Sequence, residues 1–263
     1  MTVIALSHGE PNVFTGEAPN RSLDHVTRCE LHVFEIDNPK GMALVFAGGG
    51  YLKLVFEKEG IEVAGWLNTL GYNAYVLAHR LPGQPDGNGG VHPADIALRD
   101  GLTAMTALSE WSLPFFLVGL SSGGHLAGTL ACQPTALNLK GTVIAYAPVN
   151  ANHKDYKAPA GKPDFPPPEK QAFYNAWPIG IAAEPHGVPK CPVFLAYALH
   201  DTSVPVEHAL NFIKTARDLN LDLDAHIFGQ ARHGFALREL DGSQSAWPDL
   251  AAAWLERHRG QAA

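Results

Sequence analysis

Val118-Gly119-Leu120-Ser121-Ser122-Gly123-Gly124-His125 follows the apolar run Pro114-Phe115-Phe116-Leu117 and precedes the small-residue helical pattern Leu126-Ala127-Gly128-Thr129-Leu130. A short, continuously apolar run reads as a buried strand, so the stretch predicts a strand that turns sharply into a helix. Within it, Gly119-Leu120-Ser121-Ser122-Gly123 has the Gly-x-Ser-x-Gly spacing, in which glycines flank a serine held at the tip of a strained turn. A serine hydroxyl is a weak nucleophile until a base takes its proton, and it must stand clear of its own backbone to reach a substrate. The spacing meets the second need and makes Ser121 the candidate nucleophile. An ordinary strand-to-helix turn is the competing reading, and supporting residues elsewhere decide between the two.

Outward from this point the chain alternates strand and helix patterns. Before it come the alternating segment 28–36, the buried run Met42-Ala43-Leu44-Val45-Phe46-Ala47 and the run 72–78, with a helix over 57–70 stopped by Gly71. A second helix, opened by Pro93, carries Leu98, Leu102, Met105 and Leu108 on one stripe. After it come short runs over 141–148, 192–198 and 223–228, a helix through Val206, Leu210, Ile213 and Ala216, and a last helix over about 244–258. Arg257, His258 and Arg259 fall in its final turn, where cations complement the helix dipole. This rhythm predicts an α/β fold in one domain, with a mostly parallel central sheet of about eight strands and helices on both faces. Two loops interrupt it: the Gly/Pro-rich segment 81–91, expected to be flexible, and 149–190, whose prolines and aromatics suggest a lid or cap-like loop.

In a parallel sheet, functional side chains lie on loops past the C-terminal strand ends, which narrows the search for partners of Ser121. Past 192–198 comes Leu199-His200-Asp201-Thr202-Ser203-Val204-Pro205; past 223–228 comes Gly229-Gln230-Ala231-Arg232-His233-Gly234-Phe235. Asp201 and His233 are therefore the candidate acid and base, and the chain order Ser121, Asp201, His233 is that of a known triad arrangement. A helix N-cap and a turn residue are their bland alternatives. His200, His208 and His226 compete less well: His200 and His226 do not follow the final strand, and His208 lies within a helix pattern. Gly48-Gly49-Gly50-Tyr51 ends an early strand, and its amides suit an oxyanion, with Gly49 and Gly50 the preferred donors beside the N–H of Ser122. A phosphate-binding role for these glycines lacks the Gly-Lys-Ser/Thr or Gly-x-Gly-x-x-Gly that would accompany it.

The net charge of −7 and the lack of a Lys/Arg cluster argue against nucleic acid or an anionic membrane as partner. The first ten residues have no basic region ahead of an apolar run, and no stretch has the length of a membrane span. Cys29, Cys132 and Cys191 are odd in number and widely spaced, which predicts free thiols and a cytoplasmic location. No metal is expected, because the cysteines lack chelating partners and the histidines form no His-Glu-x-x-His.

Ala47-Gly48-Gly49-Gly50-Tyr51, the Ser121 elbow, Asp201-Thr202-Ser203-Val204-Pro205 and His233-Gly234-Phe235 together resemble the α/β-hydrolase superfamily. More narrowly they are similar to the bacterial acetyl xylan esterase and feruloyl/acetyl esterase branch, related to the hormone-sensitive-lipase group. The resemblance spans about residues 40–240. It implies a serine carboxylesterase acting on short-chain, acetyl-type esters, such as those of sugars, through an acyl-enzyme on Ser121 and without a cofactor. Ser122 stands where that branch usually has Ala, and Phe46-Ala47 replaces the His-Gly or Pro-Gly that often precedes the glycines. A cytoplasmic location favours small esters over polymeric xylan. Tyr51 and Trp177 are the residues expected to line the substrate pocket. An amidase, formamidase or lactonase with the same triad is the enzymatic alternative. A catalytically silent ligand receptor is the non-enzymatic one, and the three filled triad positions argue against it.

Overall fold

The computed structural model describes residues 2–149 and 187–260. Eight strands form one sheet: β1 (Thr2–Ala5), β2 (Glu30–Phe34), β3 (Gly41–Phe46), β4 (Tyr72–Ala78), β5 (Phe115–Leu120), β6 (Leu139–Ala145), β7 (Val193–Ala198) and β8 (Leu223–Phe228). Their spatial order is β1-β2-β4-β3-β5-β6-β7-β8. From β4 to β8 every neighbouring pair is parallel, whereas β2 runs antiparallel to β4 and β1 antiparallel to β2. The expected α/β architecture is thus present, with β1 added at the edge. Strand β1 escapes sequence reading because all four of its residues are exposed and leave no alternation to see.

Helices α1 (Glu62–Thr69), α2 (Ile96–Ala107), α3 (Ser122–Ala131), α4 (Glu207–Asp218) and α5 (Trp247–Arg259) cover the two faces. Side chains alternate across a strand, and β5 divides accordingly: Phe116, Val118 and Leu120 pack with α1 and α5, while Phe115 and Leu117 pack with α2 and α3. Burying each of these large apolar side chains contributes about 1.5–3 kcal/mol. Gly141 of β6 leaves room for Trp254 of α5, whose Cη2 lies 2.3 Å from where a Cβ would stand. Trp254 in turn packs against Phe116 and Phe194.

Four local expectations need correction. The segment around β2 was expected to have one wet face, yet Glu30–Val33 are all buried, because Phe14 from the chain ahead of it and Phe56 from the chain after β3 pack against His32. The helix over 57–70 is two pieces, a π-helical turn Glu57–Ile61 followed by α1. Segment 81–91 is pinned rather than loose: Gln84 Nε2 donates to the carbonyls of Asp24 and Leu52, and a bridge joins Pro85 to Val91. In the last turn of α5, Arg257 pairs with Asp224, Arg259 with Glu256, and His258 is buried against Trp254, so these residues do more than answer the helix dipole.

The chain steps from β3 to its neighbour β4 and then crosses back over β3 to β5. Where the direction of winding reverses, the loops leaving two adjacent strands part and a crevice opens at their carboxyl ends. Here those strands are β3 and β5, in parallel register with Phe46 opposite Gly119. The glycine loop after β3 and the serine after β5 are therefore side by side.

Candidate active site

Ser121 joins β5 to α3 with φ 52° and ψ −127°, a backbone conformation that L residues avoid and that surrounding structure must enforce. The flanking glycines show how. A Cβ on Gly119 would stand 2.2 Å from the Gly123 carbonyl oxygen, and one on Gly123 would stand 2.1 Å from the Phe46 carbonyl oxygen. Only bare backbone fits where β5 folds onto α3 and against β3. The Ser121 N–H is tied to the Ala145 carbonyl at 2.9 Å, and its own carbonyl accepts from Gly124 N–H at 2.9 Å. With the main chain so fixed, Oγ is held apart from it.

The other two triad candidates converge on that oxygen. Ser121 Oγ is 3.0 Å from His233 Nε2, and His233 Nδ1 is 2.7 Å from Asp201 Oδ2. A carboxylate can only accept, so His233 carries its proton on Nδ1 and presents Nε2 as an acceptor for the serine O–H. Asp201 has a fully buried side chain, and its Oδ1 accepts from the amides of Ser203 and Val204, both at 2.8 Å. These two donors fix the carboxylate plane, so it holds one imidazole tautomer. The N-cap alternative for Asp201 fails, because α4 begins only at Glu207. The rival histidines lie elsewhere: His200 is exposed, His226 sits on β8 against Phe194, and His208 is buried on α4, where burial drives its pKa down to about 3.

The three loop amides have different fates. Gly48 N–H donates to Glu59 Oε2 at 2.9 Å, and Gly50 N–H donates to Ser122 Oγ at 2.9 Å. Gly49 N–H and Ser122 N–H meet no acceptor among the described residues. Gly49 and Gly50 have φ of 132° and 67°, values that need glycine and turn the amides out of the strand direction. Of the expected donors, Gly49 and Ser122 are thus available as they stand, whereas Gly50 is engaged by a neighbouring hydroxyl. Tyr51, with φ 60°, is 4% exposed, and its hydroxyl shares a hydrogen bond of 2.9 Å with His125 Nδ1. Trp177 and almost all of the segment 149–190 lie outside the described residues.

Sequence reading missed the second rank of the site. Tyr146, just past β6, has φ 38° and sets its ring edge-on to His233 with centroids 5.1 Å apart. Its hydroxyl donates to Glu59 Oε1 at 3.1 Å. One signal for Glu59 was present: it lies four and eight residues ahead of the buried Val63 and Leu67, which puts a carboxylate on the apolar row of a helix. Among the described residues no group of three or more His, Cys, Asp or Glu could hold a metal ion, and no helix is long and apolar enough to cross a membrane.

Residues 114–261 match the model of the prolyl oligopeptidase family. An acetylxylan esterase from Xylanibacter ruminicola is 24% identical over 219 residues, covering 79% of this chain, which spans 44% of that protein's length. Among solved structures, an acetyl ester-xyloside bifunctional hydrolase from Caldicellulosiruptor lactoaceticus superposes with a TM-score of 0.66 at 22% identity, covering 97% of this chain and 96% of its own. A carboxylesterase from Lactobacillus plantarum superposes with a TM-score of 0.61 at 18% identity over 100% of both chains.

Proposed function

The chain belongs to the prolyl oligopeptidase family, and on that premise we propose that it is a serine carboxylesterase hydrolysing short-chain, acetyl-type esters through an acyl-enzyme on Ser121. The observation that carries this reading is the in-line relay from Ser121 Oγ through His233 to Asp201, at 3.0 and 2.7 Å. In the first half-reaction His233 Nε2 takes the hydroxyl proton as Oγ bonds to the ester carbonyl carbon. Asp201 stabilises the imidazolium that forms. The carbonyl oxygen, now anionic, accepts from Gly49 N–H and Ser122 N–H, a stabilisation realised only as charge develops. Collapse of the tetrahedral intermediate breaks the bond to the alcohol oxygen, which His233 protonates as it leaves. In the second half-reaction water attacks the acyl-enzyme, losing its proton to His233, and the carboxylic acid departs as Ser121 regains its hydrogen.

The acetyl preference is supported by the two relatives whose names specify acetyl esters. Tyr51, anchored through its hydroxyl and adjoining the donor loop, forms a wall of the acyl pocket in this reading. The three free cysteines fit a reducing, cytoplasmic setting and small esters as substrates. A second reading, amide or peptide hydrolysis with the same triad, is favoured by the name of the family itself.

Nitrophenyl acetate, butyrate and octanoate, set beside the corresponding nitroanilides, test the choice. The expected result is fastest release from the acetate and negligible release from the anilides, with Ser121→Ala reducing kcat by about 10⁴-fold or more. Faster anilide turnover would replace the esterase reading with the amidase one. Turnover that survives in Ser121→Ala would overturn the nucleophile.

A further inference from the structure

We propose that Glu59 is a positioning residue of the catalytic machinery, a second carboxylate that holds the oxyanion loop in place and favours the charged form of His233. The inference rests on the serine-hydrolase reading of the Ser121 site and adds to it a group that the triad does not contain.

Four observations carry it. First, Glu59 is 5% exposed and sits on the π-helical turn ahead of α1, an irregularity common at functional sites. A buried carboxylate is costly unless it is strongly hydrogen-bonded, so its retention calls for a role. Second, only donors meet it. Gly48 N–H points at Oε2 at 2.9 Å, and the Tyr146 hydroxyl donates to Oε1 at 3.1 Å. Two donors on its two oxygens suit a carboxylate, which only accepts, rather than a carboxylic acid.

Third, the contact with Gly48 is very close. A Cβ on Gly48 would lie 2.3 Å from Glu59 Oε2 and 2.7 Å from Ser121 Cβ, so Gly48 is caught between the carboxylate and the nucleophile. Holding the Gly48 amide turns it away from the substrate and leaves the next one, Gly49 N–H, to face the oxyanion. Fourth, Glu59 lies under the base. Its Oε1 is 3.8 Å from where a Cβ on Gly234 would stand, and the Tyr146 ring that it anchors packs edge-on to His233.

The charged and titratable groups around it are Lys58 on its own turn, Tyr146 past β6, His233 past β8 and, across His233, Asp201 past β7. Burial raises the pKa of Glu59, and the cation that forms on His233 acts in the opposite direction. The two groups are therefore linked. As His233 takes the serine proton, the carboxylate below it gains a favourable charge, and the imidazolium gains a second anion beside Asp201.

Glu59→Gln is the test, because it keeps the size and an acceptor for Gly48 while removing the charge. The readout is the rate at which a fluorophosphonate labels Ser121 as a function of pH, a reaction that needs the nucleophile and base and no natural substrate. Removing an anion beside His233 makes its protonation less favourable, so the acid-side fall in labelling moves to lower pH, by about half a unit or more. The plateau rate falls roughly tenfold, because the imidazolium of the transition state is less stabilised. Tyr146→Phe keeps the ring on His233, removes one donor from Glu59, and moves the acid-side fall the same way by less; it carries the test if Glu59→Gln does not fold. Folded variants that lose thermal stability but label with the wild-type pH dependence and rate would reduce Glu59 to a packing group and overturn the proposal. Intact labelling of the wild type without turnover of any ester would count against the proposed substrate and not against Glu59.

Discussion

His233 and the glycine loop Gly48–Tyr51 both meet Ser121, and they are held there by different means. The base is placed by one strong line of bonds: Asp201 fixed by two backbone amides, His233 fixed by Asp201, Ser121 at its end. The loop has no such line. Two of its amides and one side chain are caught one by one by groups from two other elements, Gly48 by Glu59 of the π-helical turn, and Gly50 and Tyr51 by Ser122 Oγ and His125 of α3. A linear relay fails wholly when one link is altered, whereas a loop held at several points loses function in proportion to the point released. Substitutions on the two sides should therefore differ in size and in kind.

The sharpest break is expected from Asp201→Asn. The amides of Ser203 and Val204 demand an acceptor at Oδ1, so an asparagine keeps its oxygen there and turns its NH₂ toward His233. Nδ1 must then accept, the ring proton moves to Nε2, and the base can no longer take the proton of Ser121. A loss of about 10⁴-fold in kcat is expected, with KM changed little. Steady-state kinetics on nitrophenyl acetate check it, and a loss under about 10²-fold would mean that the tautomer is not fixed by Asp201. On the loop side, Gly48→Ala tests the Glu59 contact directly. The new methyl would meet Glu59 Oε2 at 2.3 Å, Ser121 Cβ at 2.7 Å and the Leu120 carbonyl at 2.9 Å, none of which is the end of a freely moving chain. Backbone must shift, at about 2–3 kcal/mol, and a thermal melt should show Tm lowered by roughly 5–10 °C. An unchanged Tm would show that the loop is less tightly caught than the Glu59 contact implies.

The same contrast explains what could be read in the sequence. Ser121, Asp201 and His233 each follow a buried strand, and the structure brings the three side chains within hydrogen-bond distance, so pattern and chain order were enough to group them. Most of the sheet was legible for a related reason: runs such as Met42–Ala47 and Pro192–Ala198 are apolar throughout because both faces of a central parallel strand are covered. Strand β1 and the buried face of β2 were not, since one has no apolar face and the other is covered by chain that folds back from a distance. Glu59, Tyr146 and His125 escaped because they reach the site through other groups, Gly48, His233 and Tyr51. A buried glutamate on a helix, a tyrosine ending a strand and a histidine on α3 acquire roles only from what the fold brings against them.

The smallest expected effect tests the loop at its most local tether. Ser122→Ala removes the oxygen that accepts from Gly50 N–H and installs the residue usual at this position in the esterase branch that the sequence resembles. Losing one neutral hydrogen bond costs about 1 kcal/mol of loop order. The freed amide, however, lies in the loop beside Gly49 and can turn toward the carbonyl oxygen as a further donor. The two consequences oppose each other, and the first should win slightly, because an amide released from its partner must be ordered again in each transition state. A fall in kcat of about two- to fivefold is expected, with the pH dependence unaltered. A rise in kcat would make Gly50 the better donor and the Ser122 hydroxyl a brake on it. A fall beyond about 10²-fold would mean that the hydroxyl, its acceptor side occupied by Gly50, gives its own proton to the oxyanion. Ser122 would then belong to the linear chemistry of the relay rather than to the distributed support of the loop.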